Sequence, residues 1–199
     1  MLSSIAPHQH SQHFNISTTT MSNKPIYILL AIVLISGIYS VLRHLYMQPN
    51  YDSGEKAPDF MGATADGHVF KLSDLKGTIV LLDFWGSWCG PCIKESPELV
   101  KLYEEYGNRH FTDADGFTIV SVAIEKDKER WERAIERLGL TWPHQVIDPV
   151  SSFRFFDSPI ANEYGVKEVP SKFLIDEKGY IVKVNPTFEE IRAFLEEKK

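Results

Sequence analysis

The chain reads as an α/β protein, a central mixed sheet flanked by helices and preceded by one membrane-length apolar helix. Three observations predict this. Apolar β-type runs alternate with helix-period segments through the second half of the chain, which implies parallel strands joined by right-handed crossovers. Residues 26–42 (IYILLAIVLISGIYSVL) form 17 consecutive uncharged positions. Charge also divides the chain: residues 1–50 hold Lys24 and Arg43 and no acid, whereas residues 51–199 hold 19 basic and 27 acidic side chains.

The 199 residues suit one domain with roughly 50 residues over for a leader. With 43% apolar and 24% charged residues, the bulk is an ordinary globular chain. Only two cysteines are present, which excludes a disulfide-stapled miniature fold and a four-thiolate zinc site. The net charge of −6 argues against a nucleic-acid footprint.

Residues 1–24 are expected to be a leader, with Met21 an alternative start. His8, His10 and His13 read as a solvated stretch rather than metal ligands. Residues 25–46 are expected to be a signal-anchor, since about 17–25 apolar residues span a bilayer. Tyr27, Tyr39 and Tyr46 fall near its ends, where aromatic rings favour the interface. A cleaved signal peptide is the rival, but the run exceeds the usual ~7–15 residues and no A-x-A site follows. Lys24 and Arg43 nearly cancel under the positive-inside rule. A short leader of this kind ordinarily stays cytoplasmic, so the domain is placed outside: cytoplasmic membrane, single pass, facing periplasm or cell exterior. Residues 47–57 are polar and turn-rich and read as a linker, and residues 58–199 as the domain.

In the domain, Asp66-Gly67 joins two short extended runs as a hairpin. Residues 78–85 (TIVLLDFW) suit a strand buried on both faces. Residues 91–106 are helical, with Ser96, Leu99, Tyr103 and Tyr106 on one face, Gly107 as a stop and Pro97 as a kink. Residues 117–124 form a second buried strand. Residues 128–138 and 159–164 are helices ended by Gly139 and Gly165. Residues 171–175 and 180–184 form a hairpin, and Thr187 with Glu190 opens the last helix as a capping box. The order is hairpin, βαβα, then ββα. Trp85, Trp131 and Trp142 read as core. The charged run 125–137 reads as a solvated helix face.

Both cysteines lie in Trp88-Cys89-Gly90-Pro91-Cys92, just after a buried strand and at the start of a helix. Three helical positions bring the sulfurs to one face, where they can close a disulfide. The helix N-terminus favours a thiolate at Cys89, making it the candidate nucleophile. Cys92, a turn deeper and expected to be less exposed, is the resolving thiol. Half of a metal site and an inert core pair are the alternatives. No His or Cys lies at ligand spacing from the pair. Asp83 interrupts an apolar strand, so it is either a strand-end residue facing solvent or a buried proton acceptor with a raised pKa. Glu95 is either a dipole-favoured surface acid or a second candidate acceptor. Trp88 is expected to shield the sulfurs.

Residues 83–92 (DFWGSWCGPC) resemble the active-site strand and turn of thioredoxins. With Ala57-Pro58-Asp59-Phe60, Leu72-Ser73-Asp74-Leu75-Lys76-Gly77 and Val169-Pro170-Ser171-Lys172-Phe173-Leu174-Ile175-Asp176, the chain resembles the membrane-anchored thiol–disulfide oxidoreductases of the TlpA/ResA type. The resemblance implies a thioredoxin fold with an N-terminal β-hairpin extension and a central insertion. It implies a redox-active Cys89-Cys92 pair without other cofactor, and a cis Pro170 facing it. Val169 would pair with an extended substrate, beside Trp88, Gly90 and Pro91. Glu95 would shape the active-site cavity. The implied partners are disulfide-containing proteins, apocytochrome c among them through cytochrome c maturation, and a membrane thiol electron donor. A thiol peroxidase of the peroxiredoxin group is a rival, but Ser87 lies two residues before Cys89 rather than three, and Trp85-Gly86 replaces the proline region. A non-enzymatic envelope adaptor is another.

Overall fold

The computed structural model describes residues 24–152 and 157–199; the expected leader and its histidines lie outside the described residues. Helix α1 (Lys24–Met47) contains a 22-residue stretch, Ile26–Met47, long and apolar enough to cross a membrane. Its apolar side chains are exposed all round, Val33 at 69%.

The remaining elements are β1 (Met61–Thr64), β2 (Val69–Lys71), a 3₁₀ turn (Leu72–Leu75), β3 (Thr78–Trp85), α2 (Gly90–Tyr106), β4 (Gly116–Glu125), α3 (Lys128–Leu138), β5 (His144–Pro149), α4 (Pro159–Glu163), β6 (Ser171–Ile175), β7 (Ile181–Val184) and α5 (Phe188–Glu197). They build one seven-stranded sheet in the order β2-β1-β5-β4-β3-β6-β7. The three central strands, β5, β4 and β3, are parallel. β6 and β7 extend the sheet antiparallel on one side, β1 and β2 on the other.

Strand β5 was not expected from the sequence, and it joins the first hairpin to the sheet. Its buried Gln145 and Asp148 hide the apolar signature. Asp148 accepts a hydrogen bond from the Ala161 backbone N–H at 2.9 Å, and Gln145 donates to the Leu140 carbonyl at 3.4 Å. The Asp148 carboxylate and the Gln145 amide nitrogen are thus partnered, whereas Gln145 Oε1 is buried without a partner.

Part of the expected linker 47–57 is bonded to the sheet. Gly54 N–H donates to the Ile181 carbonyl (2.7 Å), Ile181 N–H to that of Glu55 (2.8 Å) and Ala57 N–H to that of Gly179 (2.9 Å), so the segment lies along β7. The ring of Tyr51 packs 6.0 Å from that of Tyr164.

Alternation along β3 sorts its side chains between two cores. Val80, Leu82 and Phe84 face the cluster containing Phe60, Tyr164 and Phe173. Ile79, Leu81 and Trp85 face α2, α3 and α5, in a cluster that contains both cysteines, Trp131 and Trp142. Asp83 lies in that second row, on the cysteine face. Helix α2 continues through Pro97 to Tyr106 without a break. The capping box of α5 is complete, Thr187 and Glu190 each bonding the other's backbone.

Candidate active site

β3 delivers the chain to the site and its neighbour β4 holds the turn that follows. Glu125, the last residue of β4, is 1% exposed and accepts hydrogen bonds from both the backbone N–H and the hydroxyl of Ser87, each at 2.9 Å. The Trp88 indole N–H donates to the Ile124 carbonyl at 2.9 Å. Glu125 is therefore not on a solvated helix face, as its charged surroundings in sequence suggest. Burial pushes its carboxyl upward while the Ser87 bonds oppose this. Gly86 is required by the close approach of that indole: a Cβ there would meet Trp88 Nε1 at 2.6 Å.

Cys89 is the N-cap of α2, with extended backbone (φ −84°, ψ 104°), and its sulfur accepts the Cys92 backbone N–H at 3.2 Å. Pro91 sits in the first helical positions, where no intrahelical N–H bond is lost. Cys89 and Cys92 are joined as a disulfide with Cα atoms 5.3 Å apart. Both are 4% exposed, so the expected difference in exposure is absent in this oxidised form.

The Val169-Pro170 peptide bond is cis, and the Val169 carbonyl oxygen lies 3.6 Å from Cys89 Sγ. Trp88, Val169 and Pro170 are half-buried, and Gly90 and Pro91 exposed. Trp88 and Val169 pack against the cluster that holds both sulfurs.

Asp83 is 3% exposed and stands opposite Lys172 in the β3–β6 register. Burial pushes its carboxyl up to about 7; the Lys172 charge pulls it down and the Glu95 charge adds to the rise. Lys172, its side chain 8% exposed, forms an ion pair with Glu95, which is 38% exposed and one turn beyond Cys92 on α2. Asp83 is thus not a strand-end residue facing solvent, and Glu95 is not a free surface acid. Two site residues were missed from sequence. Glu125 carries no distinguishing signal. Lys172 does: it is the one charge in the buried strand Ser171–Ile175. Among the described residues no three His, Cys, Asp or Glu side chains converge as metal ligands.

A sheet of this order with a Cys-Gly-Pro-Cys disulfide at a helix N-terminus and a cis-proline beside it defines the class of thioredoxin-fold redox proteins. Residues 52–193 match the Redoxin family. The thiol–disulfide oxidoreductase ResA of Geobacillus thermodenitrificans is 32% identical over 173 residues, covering 85% of this chain and 91% of its own. ResA of Bacillus subtilis is 32% identical over 79% of this chain and 80% of its own. Among solved structures, the thioredoxin domain of a thiol–disulfide oxidoreductase from Bacteroides vulgatus superposes with a TM-score of 0.62 at 29% identity, over 73% of this chain and 99% of that one. The chain belongs to the Redoxin family and, within it, to the ResA-like thiol–disulfide oxidoreductases.

Proposed function

We propose that the protein is a membrane-tethered reductase of protein disulfides, acting outside the cytoplasmic membrane through the Cys89-Cys92 dithiol. The observation that carries this reading is the sulfur of Cys89 as helix N-cap, receiving the Cys92 N–H. Backbone N–H donors and the helix dipole stabilise negative charge there.

In the reduced protein the Cys89 thiolate attacks one sulfur of a substrate disulfide. The substrate S–S bond breaks, its other sulfur leaves as a thiolate, and a mixed disulfide forms on Cys89. Cys92 then gives its proton to the Asp83 carboxylate and attacks Cys89 Sγ. The second substrate thiolate departs and the Cys89-Cys92 bond closes. Two electrons pass to the substrate, whose thiolates take up two protons. The Val169 backbone, beside Trp88, Gly90, Pro91 and Pro170, suits an extended substrate chain paired as a short β-bridge. Apocytochrome c is the substrate that the TlpA/ResA resemblance favours, and a membrane thiol electron donor would restore the dithiol.

The Gly-Pro pair supports the reducing direction. Thioredoxin, with the same pair, lies near −270 mV, about 150 mV below the oxidant DsbA. Helix α1 is proposed as the anchor, with residues 25–46 in the membrane and the leader on its cytoplasmic side. The domain proper is proposed to begin near Asn50, since residues 50–57 dock on β7 and α4.

A Cys92→Ser variant tests the roles. It is expected to accumulate mixed disulfides on Cys89 with its physiological partners, while Cys89→Ser captures none. Equal capture through Cys92 would reverse the assignment.

A further inference from the structure

Three charged groups from three elements meet on the cysteine face of the sheet. Asp83 comes from β3, Lys172 from β6 and Glu95 from α2. The strands fix this meeting. Asp83 and Lys172 are direct cross-strand partners in the antiparallel β3–β6 register, so their side chains leave the sheet on the same side. Glu95 stands three positions after Cys92, which returns it to the same face of α2. Lys172 is 8% exposed, an unusual burial for an ammonium, and its ion pair with Glu95 is the contact that balances it. The Phe188 ring of α5 closes over it, 5.7 Å from Nζ to the centroid. On the other side of Asp83, β4 presents Ser121, whose hydroxyl is engaged by the Trp142 indole N–H at 3.0 Å. The charges that act on Asp83 are therefore Lys172 and Glu95, with opposite signs.

We propose that Lys172 is a positioning residue for the resolving step: its ammonium, paired with Glu95 and carried opposite Asp83 in the β3–β6 register, keeps Asp83 able to take the Cys92 proton near neutral pH. The inference rests on the dithiol chemistry proposed above. Asp83 by itself is a carboxyl buried in an apolar strand, and such a group holds its proton. A second carboxylate nearby strengthens that hold. Only the lysine works the other way, so it offsets both the burial and the Glu95 charge. Removing the ammonium leaves Asp83 protonated at neutral pH and unable to accept another proton. Removing the Glu95 charge does the reverse. The two residues form one ion pair, yet their loss moves the resolving step in opposite directions. A role in packing alone would slow the reaction at all pH values and would give both losses the same sign.

The test uses the reduced full-length protein in detergent and one equivalent of a chromogenic aromatic disulfide. The first aromatic thiolate is released when Cys89 attacks, the second when Cys92 closes the protein disulfide and frees the aromatic group from Cys89. The rate of the second phase is followed from pH 5 to pH 9. In the wild type it should rise with pH to a plateau, with its midpoint near 7. In Lys172→Met the midpoint should move up by about one pH unit, within the range that a nearby opposite charge produces. Below both midpoints that is a roughly tenfold slower second phase, with the first phase unchanged. Lys172→Arg should restore the wild-type midpoint. Glu95→Gln should move it down, which keeps the proposal testable if Lys172→Met folds poorly. A midpoint unmoved in Lys172→Met, or moved the same way in both variants, overturns the role given to Lys172. Failure of the wild type to release a second equivalent overturns the dithiol reading beneath it.

Discussion

Asp83 shows how far one residue's chemistry can be read from its neighbours in sequence. A carboxyl between Leu82 and Phe84, in a strand otherwise apolar from Ile79 to Trp85, either leaves the sheet or is buried for a reason. Alternation decides for the cysteine face, because Leu81 and Trp85, two positions either side, pack in the cluster that holds both sulfurs. Lys172 was equally visible as the one charge in the strand Ser171–Ile175. Pairing it with Asp83 requires the register, which no local pattern supplies. The burial of Asp83 has a thermodynamic consequence. Its carboxyl rises from the usual 3.8 to about 7 in the folded protein, so the folded state binds the proton more tightly than the unfolded state does. The resulting stability is fully present below about pH 4 and is lost as pH rises through 7. Asp83→Asn, which has no charge to bury, should remove this loss. The variant is expected to be more stable than wild type at pH 8 by a few kcal/mol at most, and to show little advantage at pH 4. Urea unfolding of the oxidised proteins at the two pH values measures it. An advantage independent of pH would contradict the burial of a titrating carboxyl.

At the level of elements, the active-site turn belongs to two strands. β3 leads into it, while the last two residues of β4 hold it, Glu125 through Ser87 and Ile124 through Trp88. Glu125 was not legible because it opens the charged run 125–137, which reads as one solvated face. The helix begins at Lys128 as expected, capped by the Asp127 side chain, so Glu125 belongs to β4. β5 was hidden for a related reason. Only Val146 and Ile147 are apolar in His144–Pro149 before the final proline, and the buried Gln145 and Asp148 bond to the loop before it and to α4. The helices and the strands of continuous apolar residues were plain, because burial on both faces leaves an unbroken run. Glu125→Ala leaves the buried Ser87 N–H and hydroxyl without their acceptor. It should cost about 2–3 kcal/mol in denaturant unfolding, the range for losing a charged acceptor. Glu125→Gln keeps an oxygen at the same place and should cost about 1 kcal/mol. Equal stability of the alanine variant and the wild type would show that the turn stands without β4.

The whole molecule converges on a single sulfur. The parallel strands β3 and β4 end at one edge, and α2 starts there with Cys89 as its cap. β6 brings the Val169 carbonyl and Lys172 to the same place from the opposite direction. The motif and the order of elements made this edge recognisable in the sequence. What was not recognisable is what depends on distant segments meeting: the docking of residues 50–57 on β7, the ion pair across α2 and β6, and the clamp on Ser87. The proposed reduction of protein disulfides needs an ionised Cys89 at neutral pH. The most direct measurement is the rate of iodoacetamide alkylation of the fully reduced protein across pH, with each cysteine followed by mass spectrometry. Cys89 should react far faster than Cys92 at pH 7, with a midpoint well below the free-thiol value of about 8.5. Equal labelling of the two cysteines, or a Cys89 midpoint at or above that of a free thiol, would contradict the account.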